Sequence, residues 1–353
     1  MKISQIETPA LILEKSIFEE NIRTMKALMA KTNMALRPHY KSHKCPVIAR
    51  RQIAEGAKGI VCAKLSEAED LAQCGIADIL IANQIVQPEK LGRLGTLAKK
   101  CRLTVCVDCE ENILELEKYM AAADATLYCL VEYEIGMGRC GVESHEEVMD
   151  MAKLISAQPH LVFEGVQAYA GNMAHEPELS VRKAETERIE QDLSLLKEAL
   201  SKAGFAPKEI SGGSTGTVET KPAESMYTEM QCGSYIFMDR AYRDLSLCFR
   251  NALFLLTTVV SVKKDRIVTD GGTKSLGMDQ GNPVFVSFED APVQMSEEHA
   301  QCTAMNHGLS LKDKIRLIPG HCCTTVNLHE KIYVVDGEDV VDIWPVTSRG
   351  KSQ

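Results

Sequence analysis

The 353-residue chain has no apolar run near the length of a membrane span; the longest, residues 251–261, reads as a strand. Residues 1–9 lack the long apolar core of a signal peptide. Positive charge is not in excess either. Forty Lys and Arg against 49 Asp and Glu give a net charge of -9, which argues against nucleic acid or an anionic membrane as the main partner. No Gly-x-Gly-x-x-Gly follows the first predicted strand, so the dinucleotide reading has little support. There is no internal repeat and no low-complexity tract. A cytoplasmic location is the resulting expectation. Thirteen cysteines are present, but a chain this long and 45% hydrophobic needs no covalent staples. Cys62, Cys74, Cys106, Cys129 and Cys248 fall within apolar patterns, as small buried thiols do. Cys106 and Cys109 form a C-x-x-C with no second pair at zinc-finger spacing, and are read as structural.

What the chain does contain is an alternation of short β-rich runs and helical patterns. The first helix, about 16–31, carries Phe18, Ile22, Met25 and Met29 at spacings of four, three and four, an apolar stripe on one face. Strands are predicted at 35–40, 59–64, 78–83, 103–108, 126–132, 162–169, 209–213 and 227–235. Helical segments separate nearly all of them, with clear examples at 65–74, 111–122, 145–157 and 178–203. Eight strands with intervening helices is the count of a (β/α)8 TIM-type barrel, with a doubly wound open sheet as the alternative. The expected fold class is therefore α/β: a barrel over residues 15–244 and a second, C-terminal β-domain over 245–353. In that second part, runs at 252–262, 266–269, 283–287, 314–317 and 331–335 follow one another with turn signals and no convincing helices. An N-terminal strand within residues 1–14 is expected to join the β-domain.

Residues 37–44, Arg-Pro-His-Tyr-Lys-Ser-His-Lys, place Lys41 at the end of the first barrel strand. Arg37, His39 and Lys41 share one face by the period of two. Nearby positive charge and partial desolvation are how a protein lowers the pKa of an ammonium, so Lys41 reads as a Schiff-base lysine; a solvated basic loop is the plain alternative. Arg139 follows strand five in a glycine-rich segment, and Tyr169 ends strand six, with Gly171, Asn172 and His175 beyond it. Residues 211–217 (Ser-Gly-Gly-Ser-Thr-Gly-Thr) follow strand seven, and Gly233 and Ser234 lie at the end of strand eight. All fall at C-terminal strand ends, the face that holds barrel active sites, where the last two loops commonly bind phosphate. Residues 211–217 have the composition of an anion cradle, and Arg139 can offer a fixed fork to an acidic oxygen. A carbonyl-condensing lysine with a phosphate cradle suggests pyridoxal phosphate.

Over almost its whole length the chain resembles the metal-activated, fold-type-III pyridoxal-phosphate enzymes of β-hydroxy-D-amino acids. These are the D-threonine aldolase, 3-hydroxy-D-aspartate aldolase and D-serine dehydratase group, related to alanine racemase in their barrel. The landmarks lie at residues 8–10, 37–44, 136–141, 167–171, 212–217, 233–239 and 319–327. The resemblance implies Lys41 as the lysine joined to the cofactor, Arg139 near its phenolic oxygen, and Tyr169 near its ring nitrogen. It implies Thr215, Gly233 and Ser234 at the phosphate, and a head-to-tail homodimer. It also implies His321 and Cys323 as the two protein ligands of a divalent metal (Zn, Mn or Mg). An extended segment there would put both side chains on one face and turn Cys322 away.

Two chemistries fit. His175 matches the aldolase histidine that takes the β-hydroxyl proton, and its ordinary pKa suits a base near neutrality. Cys323 points the other way, because aldolases of this group usually carry aspartate there while the dehydratases carry cysteine. A thiolate also favours zinc. The expectation is a pyridoxal-phosphate- and divalent-metal-dependent lyase on small-molecule β-hydroxy-D-amino acids, cleaving them in D-threonine aldolase fashion to glycine and an aldehyde. The alternative is a D-serine or 3-hydroxy-D-aspartate dehydratase using zinc; an amino-acid racemase, a non-catalytic cofactor carrier and a cofactor-free Schiff-base aldolase rank below it.

Overall fold

A computed structural model of the chain describes every residue except Asp244 and Asn306. It divides into two compact units: Met1–Met25 with Ser42–Val47 and Ser234–Gly350, and Lys26–Lys41 with Ile48–Gly233 and Lys351–Gln353. The chain opens with strand β1 (Ala10–Glu14) and helix α1 (Lys15–Met29). There follow β2 (Ala35–Leu36), α2 (Pro46–Ala54), β3 (Ile60–Cys62), α3 (Leu65–Gln73), β4 (Asp78–Ile81), α4 (Pro88–Ala98) and β5 (Arg102–Val107). Next come α5 (Glu110–Ala123), β6 (Leu127–Glu132), α6 (His145–Ser156), β7 (Leu161–Ala168), α7 (Leu179–Lys202), β8 (Glu209–Gly212) and β9 (Glu229–Met230).

Strands β2 to β9 form one parallel sheet in the order β2-β9-β8-β7-β6-β5-β4-β3. A parallel bridge between His39 and Val61 links its two ends, so the sheet closes into a barrel. Strands of such a sheet are covered on both faces and read as near-continuous apolar runs, as β3 and β5 do. Inside, Val61, Leu80, Cys106 and Leu130 from four neighbouring strands pack together as a filled layer. The barrel is therefore a core rather than a pore, and its chemistry is confined to the strand ends. Local signals set the helices. The Ser144 hydroxyl accepts from the Glu147 N–H at 3.2 Å while the Glu147 carboxylate takes the Ser144 N–H at 2.9 Å, a reciprocal cap that starts α6.

The other unit is mainly β. Its later elements are α8 (Arg240–Arg243), β10 (Leu253–Val262), β11 (Arg266–Thr269), β12 (Val284–Phe285), β13 (Val293–Met295), β14 (Ala300–Thr303), β15 (Lys314–Ile318), α9 (Cys322–Val326), β16 (Lys331–Asp336) and β17 (Asp339–Pro345). The main path of its sheet runs β13-β14-β11-β10-β1-β16-β17. The N-terminal strand β1 is thus central, antiparallel to β10 and parallel to β16. Ile12, Phe254, Leu256, Val284, Ile318 and Val335 pack in its core.

Two local expectations are corrected. Residues 322–326 are helical rather than extended; His321 alone keeps an extended conformation, as the N-cap of α9. The turn is closed by side chains, since the Thr325 hydroxyl donates to the His321 carbonyl at 2.7 Å. Cys248 is exposed, because it falls in the connection between α8 and β10 rather than in a strand. None of the thirteen cysteines is in a disulfide. Among the described residues no helix is long and apolar enough to cross a membrane.

Candidate active site

After β2 the chain stays extended to His39, whose N–H donates to the Cys232 carbonyl at 3.2 Å, and then turns at Tyr40–Ser42. Tyr40 is fully buried and its hydroxyl donates to Asp70 at 3.0 Å. That anchor delivers Lys41 into a cavity of about 160 Å³, whose wall includes His39, Glu132, Arg139, Gln167 and Tyr169. These residues lie at or beyond the C-terminal ends of β2, β6 and β7. Lys41 Nζ stands 5.8 Å from the centroid of the Tyr169 ring and the Arg139 guanidinium 5.7 Å from it. Lys41, Arg139 and Tyr169, predicted from separate segments, therefore share one cavity. Arg37 does not add its charge there. It is buried, with Nε donating to both Glu229 oxygens at 2.9 Å and Nη1 to Asp78 at 2.7 Å, so carboxylates neutralise it. The expected cationic face of Arg37, His39 and Lys41 is thus divided.

The loop that carries Arg139 is held by acidic groups the sequence reading passed over. Arg139 Nη2 reaches Glu132 Oε1 at 3.4 Å, and Gln84 Nε2 donates to Glu132 Oε2 at 2.7 Å and to Asp108 Oδ2 at 3.1 Å. The Gly141 N–H donates to the same Asp108 oxygen at 3.0 Å. Gly141 has φ +107°, and a side chain there would press on the backbone of Glu132 and Glu134, so only glycine lets the loop return so closely. Burial pushes the Glu132 carboxyl above its ordinary range, against the opposing pull of Gln84 and Arg139. A visible signal existed: β6 reads Leu-Tyr-Cys-Leu-Val-Glu, with a lone carboxylate at the C-terminal end of a buried barrel strand.

Thr215 and His175 do not line this cavity. Thr215 is buried at the start of a 3-10 segment, Thr215–Thr220, and His175 is half-buried just past the turn at Gly171–Met173. The two loops meet where Gly216 packs against the Ala174 carbonyl. Within residues 211–217, the Ser211 hydroxyl donates to Glu229 at 2.6 Å, and the Ser214 and Thr217 hydroxyls lie 3.2 Å apart. Gly233 ends the barrel unit and Ser234 begins a stretch of the β-rich one.

In the β-rich unit, His321 and Cys323 do come together. Cys323 Sγ is 3.3 Å from the Ser42 hydroxyl, 3.7 Å from that of Ser234 and 3.9 Å from Cys322 Sγ. The bond from Cys322 holds the Cys323 thiol well below its ordinary range despite burial, with His321 and Ser42 adding to the effect. Burial opposes charge on His321, yet Cys323 and Asp279 together push it up to about 9. The two side chains share a hydrogen bond, which sets a nitrogen and a sulfur donor side by side. That donor set fits a borderline-soft divalent cation, which would take the place of the bond's proton. Asp239 is buried beside the pair, accepts from the Cys322 N–H at 2.8 Å, and is pushed up to about 6 by burial. Among the described residues no group of three or more His, Cys, Asp or Glu side chains is arranged to hold a metal.

A closed parallel barrel with a lysine, an arginine and a tyrosine at its C-terminal mouth defines an alanine-racemase-like class of protein. Comparison with known proteins gives the same answer. Residues 14–241 match the family model described as alanine racemase, N-terminal domain, and residues 252–335 match a putative serine dehydratase domain. The chain is 38% identical to the D-threonine aldolase of Arthrobacter sp over 99% of its length and 95% of that protein. It is 37% identical to the 3-hydroxy-D-aspartate aldolase of Paracoccus denitrificans, over 99% and 94%. The crystal structure of D-threonine aldolase from Filomicrobium marinum superposes with a TM-score of 0.94 at 36% identity, covering 100% of this chain and 98% of that one. A D-threo-3-hydroxyaspartate dehydratase from Delftia sp. is more distant, at 28% over 91% of this chain and 92% of that protein. The chain belongs to the family of D-threonine aldolase, 3-hydroxy-D-aspartate aldolase and D-serine dehydratase, built on the barrel of alanine racemase.

Proposed function

We propose that the protein is a pyridoxal-phosphate- and divalent-metal-dependent lyase that cleaves β-hydroxy-D-amino acids to glycine and an aldehyde. The observation that carries the reading is the meeting of Lys41, Arg139 and Tyr169 in one polar cavity at the barrel mouth. An amine, a planar donor fork and a phenol around one space suit a flat aromatic aldehyde bearing a phenolic oxygen and a ring nitrogen. The full-length identity to aldolases favours aldol chemistry over elimination.

In this reading the Lys41 amine holds the cofactor, the Arg139 fork faces its phenolic oxygen, and Tyr169 faces its ring nitrogen. Thr215, Gly233 and Ser234 hold its phosphate through hydroxyl and backbone N–H donors. When bound, the cofactor supplies an electron sink for the pair released at Cα, and the metal supplies a Lewis acid toward the β-hydroxyl. His321 and Cys323 hold that metal as its only two protein ligands, so positions stay open for substrate oxygens. His175 takes the β-hydroxyl proton as the Cα–Cβ bond breaks. Glu132, through Arg139 and Gln84, fixes the donor fork before substrate arrives. Cys323 in place of the aldolase aspartate makes zinc the metal we favour.

The second reading, dehydration, rests on that same cysteine. Incubating the protein with D-threonine, D-phenylserine and D-3-hydroxyaspartate, with and without chelator, separates the two. The expected outcome is glycine plus an aldehyde, lost on chelation and restored by zinc; ammonia and a 2-oxo acid without glycine would move the assignment to dehydratase. The proposal includes a cytoplasmic homodimer: thirteen cysteines with no disulfide suit a reducing compartment, and the family resemblance supplies the dimer.

A further inference from the structure

His321 has two ring nitrogens, and only one can be offered to a cation. Its Nδ1 lies 2.6 Å from Asp279 Oδ2, on a segment 42 residues earlier in the chain. The other Asp279 oxygen, Oδ1, accepts from the Thr324 hydroxyl at 2.6 Å. Both carboxylate oxygens are therefore committed to α9 or its cap. The Asp279 segment is itself pressed against that helix. The Gly277 N–H donates to Thr325 Oγ1 at 3.0 Å, and a Cβ on Gly277 would overlap Thr324 Oγ1 and crowd the Thr325 N–H. With Nδ1 taken by Asp279, Nε2 is the nitrogen left for the ring's hydrogen bond to Cys323.

We infer that Asp279, held by Thr324, is a positioning residue for the metal site: it accepts a hydrogen bond from the Nδ1–H of His321 and so aims Nε2 at the space beside Cys323. The inference rests on the metal reading above. Metal-bound histidines characteristically give their second N–H to a carboxylate, which fixes the tautomer and ring angle and raises ligand basicity; loss of such a partner typically weakens metal binding 10- to 100-fold. Asp279 is not a ligand in this account and needs no contact with the substrate.

The test measures zinc affinity directly, by competition with a chromophoric chelator, on the full-length cofactor-loaded protein and on the variants Asp279→Ala, Asp279→Asn, Thr324→Val, His321→Ala and Cys323→Ala. Asp279→Ala is expected to weaken zinc by about 10- to 100-fold. Thr324→Val should weaken it less, and Asp279→Asn, which keeps an acceptor oxygen, should recover part of the loss. The visible absorbance of the bound cofactor and the thermal midpoint should stay at wild-type values in the Asp279 and Thr324 variants. If zinc affinity is unchanged in Asp279→Ala and Thr324→Val while His321→Ala and Cys323→Ala lose the metal, the positioning role is wrong and the metal reading stands. Retention of tight zinc binding in His321→Ala and Cys323→Ala would remove the metal reading and this inference together.

Discussion

At the scale of single residues, the basic groups near the barrel mouth differ in what they face. Arg37 is shared between Glu229 and Asp78, and Arg139 leans on Glu132. Lys41 faces the ring of Tyr169 and a cavity instead. Removing the Lys41 side chain therefore breaks little that holds the fold. Lys41→Ala is expected to lose both the visible cofactor absorbance and cleavage activity, with the thermal midpoint unchanged within a degree or two. Spectra before and after borohydride, with peptide mapping, check it: a borohydride-stable adduct on another residue would remove Lys41 from its role. Asp108, Glu132 and Gln84 could not be paired from the sequence, because each lies at the end of a different strand and only the side-by-side pairing of β4, β5 and β6 makes them neighbours.

At the scale of elements, the largest departure from expectation is α9. Alternation of His321 and Cys323 along a strand would have been sufficient to bring them to one ion, yet the segment turns into a helix after His321. Threonine hydroxyls make the difference by bonding locally to backbone and to Asp279. The 3-10 segment at Thr215–Thr220 is followed by Lys221, whose side chain is only 3% exposed. Burial lowers the Lys221 amine to about 8, against the opposing charge of Glu190 at 3.5 Å. The folded-state pKa lies below the unfolded one, so between about pH 8 and the ordinary lysine value the unfolded chain binds more protons and stability rises with pH. Below pH 8 the folded state carries the full cost of a charged buried amine. Lys221→Met is expected to be the more stable form at pH 7, by at most about 3 kcal/mol, part of which is offset by the lost contact with the Tyr227 ring. Its advantage should shrink as pH rises from 8 to 10.5. Urea midpoints of both proteins at pH 7 and pH 10 measure the difference; a constant gap would show that Lys221 is not charged at a cost.

At the scale of the whole molecule, the β-rich unit depends on its first strand. β1 supplies fully buried Leu11, Ile12 and Leu13 and occupies the middle of the sheet, so its removal exposes both β10 and β16 as raw edges. A chain lacking residues 1–14 is expected to lose soluble expression or cooperative unfolding, checked by near-UV circular dichroism and gel filtration. A soluble variant with native spectra would show that β10 and β16 can pair without it. The alternation of strands and helices from β2 to β8 made the barrel legible from the sequence, since buried parallel strands and their covering helices have different local periods. The β-rich unit was less legible in detail, because its short strands pair across long separations, as β1 does with β16.

The sequence alone determined which residues stand at the C-terminal ends of the barrel strands, among them Lys41, Arg139 and Tyr169. Local patterning of apolar residues locates each strand but not its exact end: the strands expected at 35–40 and 227–235 shorten to Ala35–Leu36 and Glu229–Met230. Only the tertiary structure decided who faces whom: Arg37 turned to Glu229 and Asp78, Glu132 set against Arg139, Asp279 brought to His321. Those pairings arise from chain closure over tens to hundreds of residues, and the periodicity of a short segment carries no record of them.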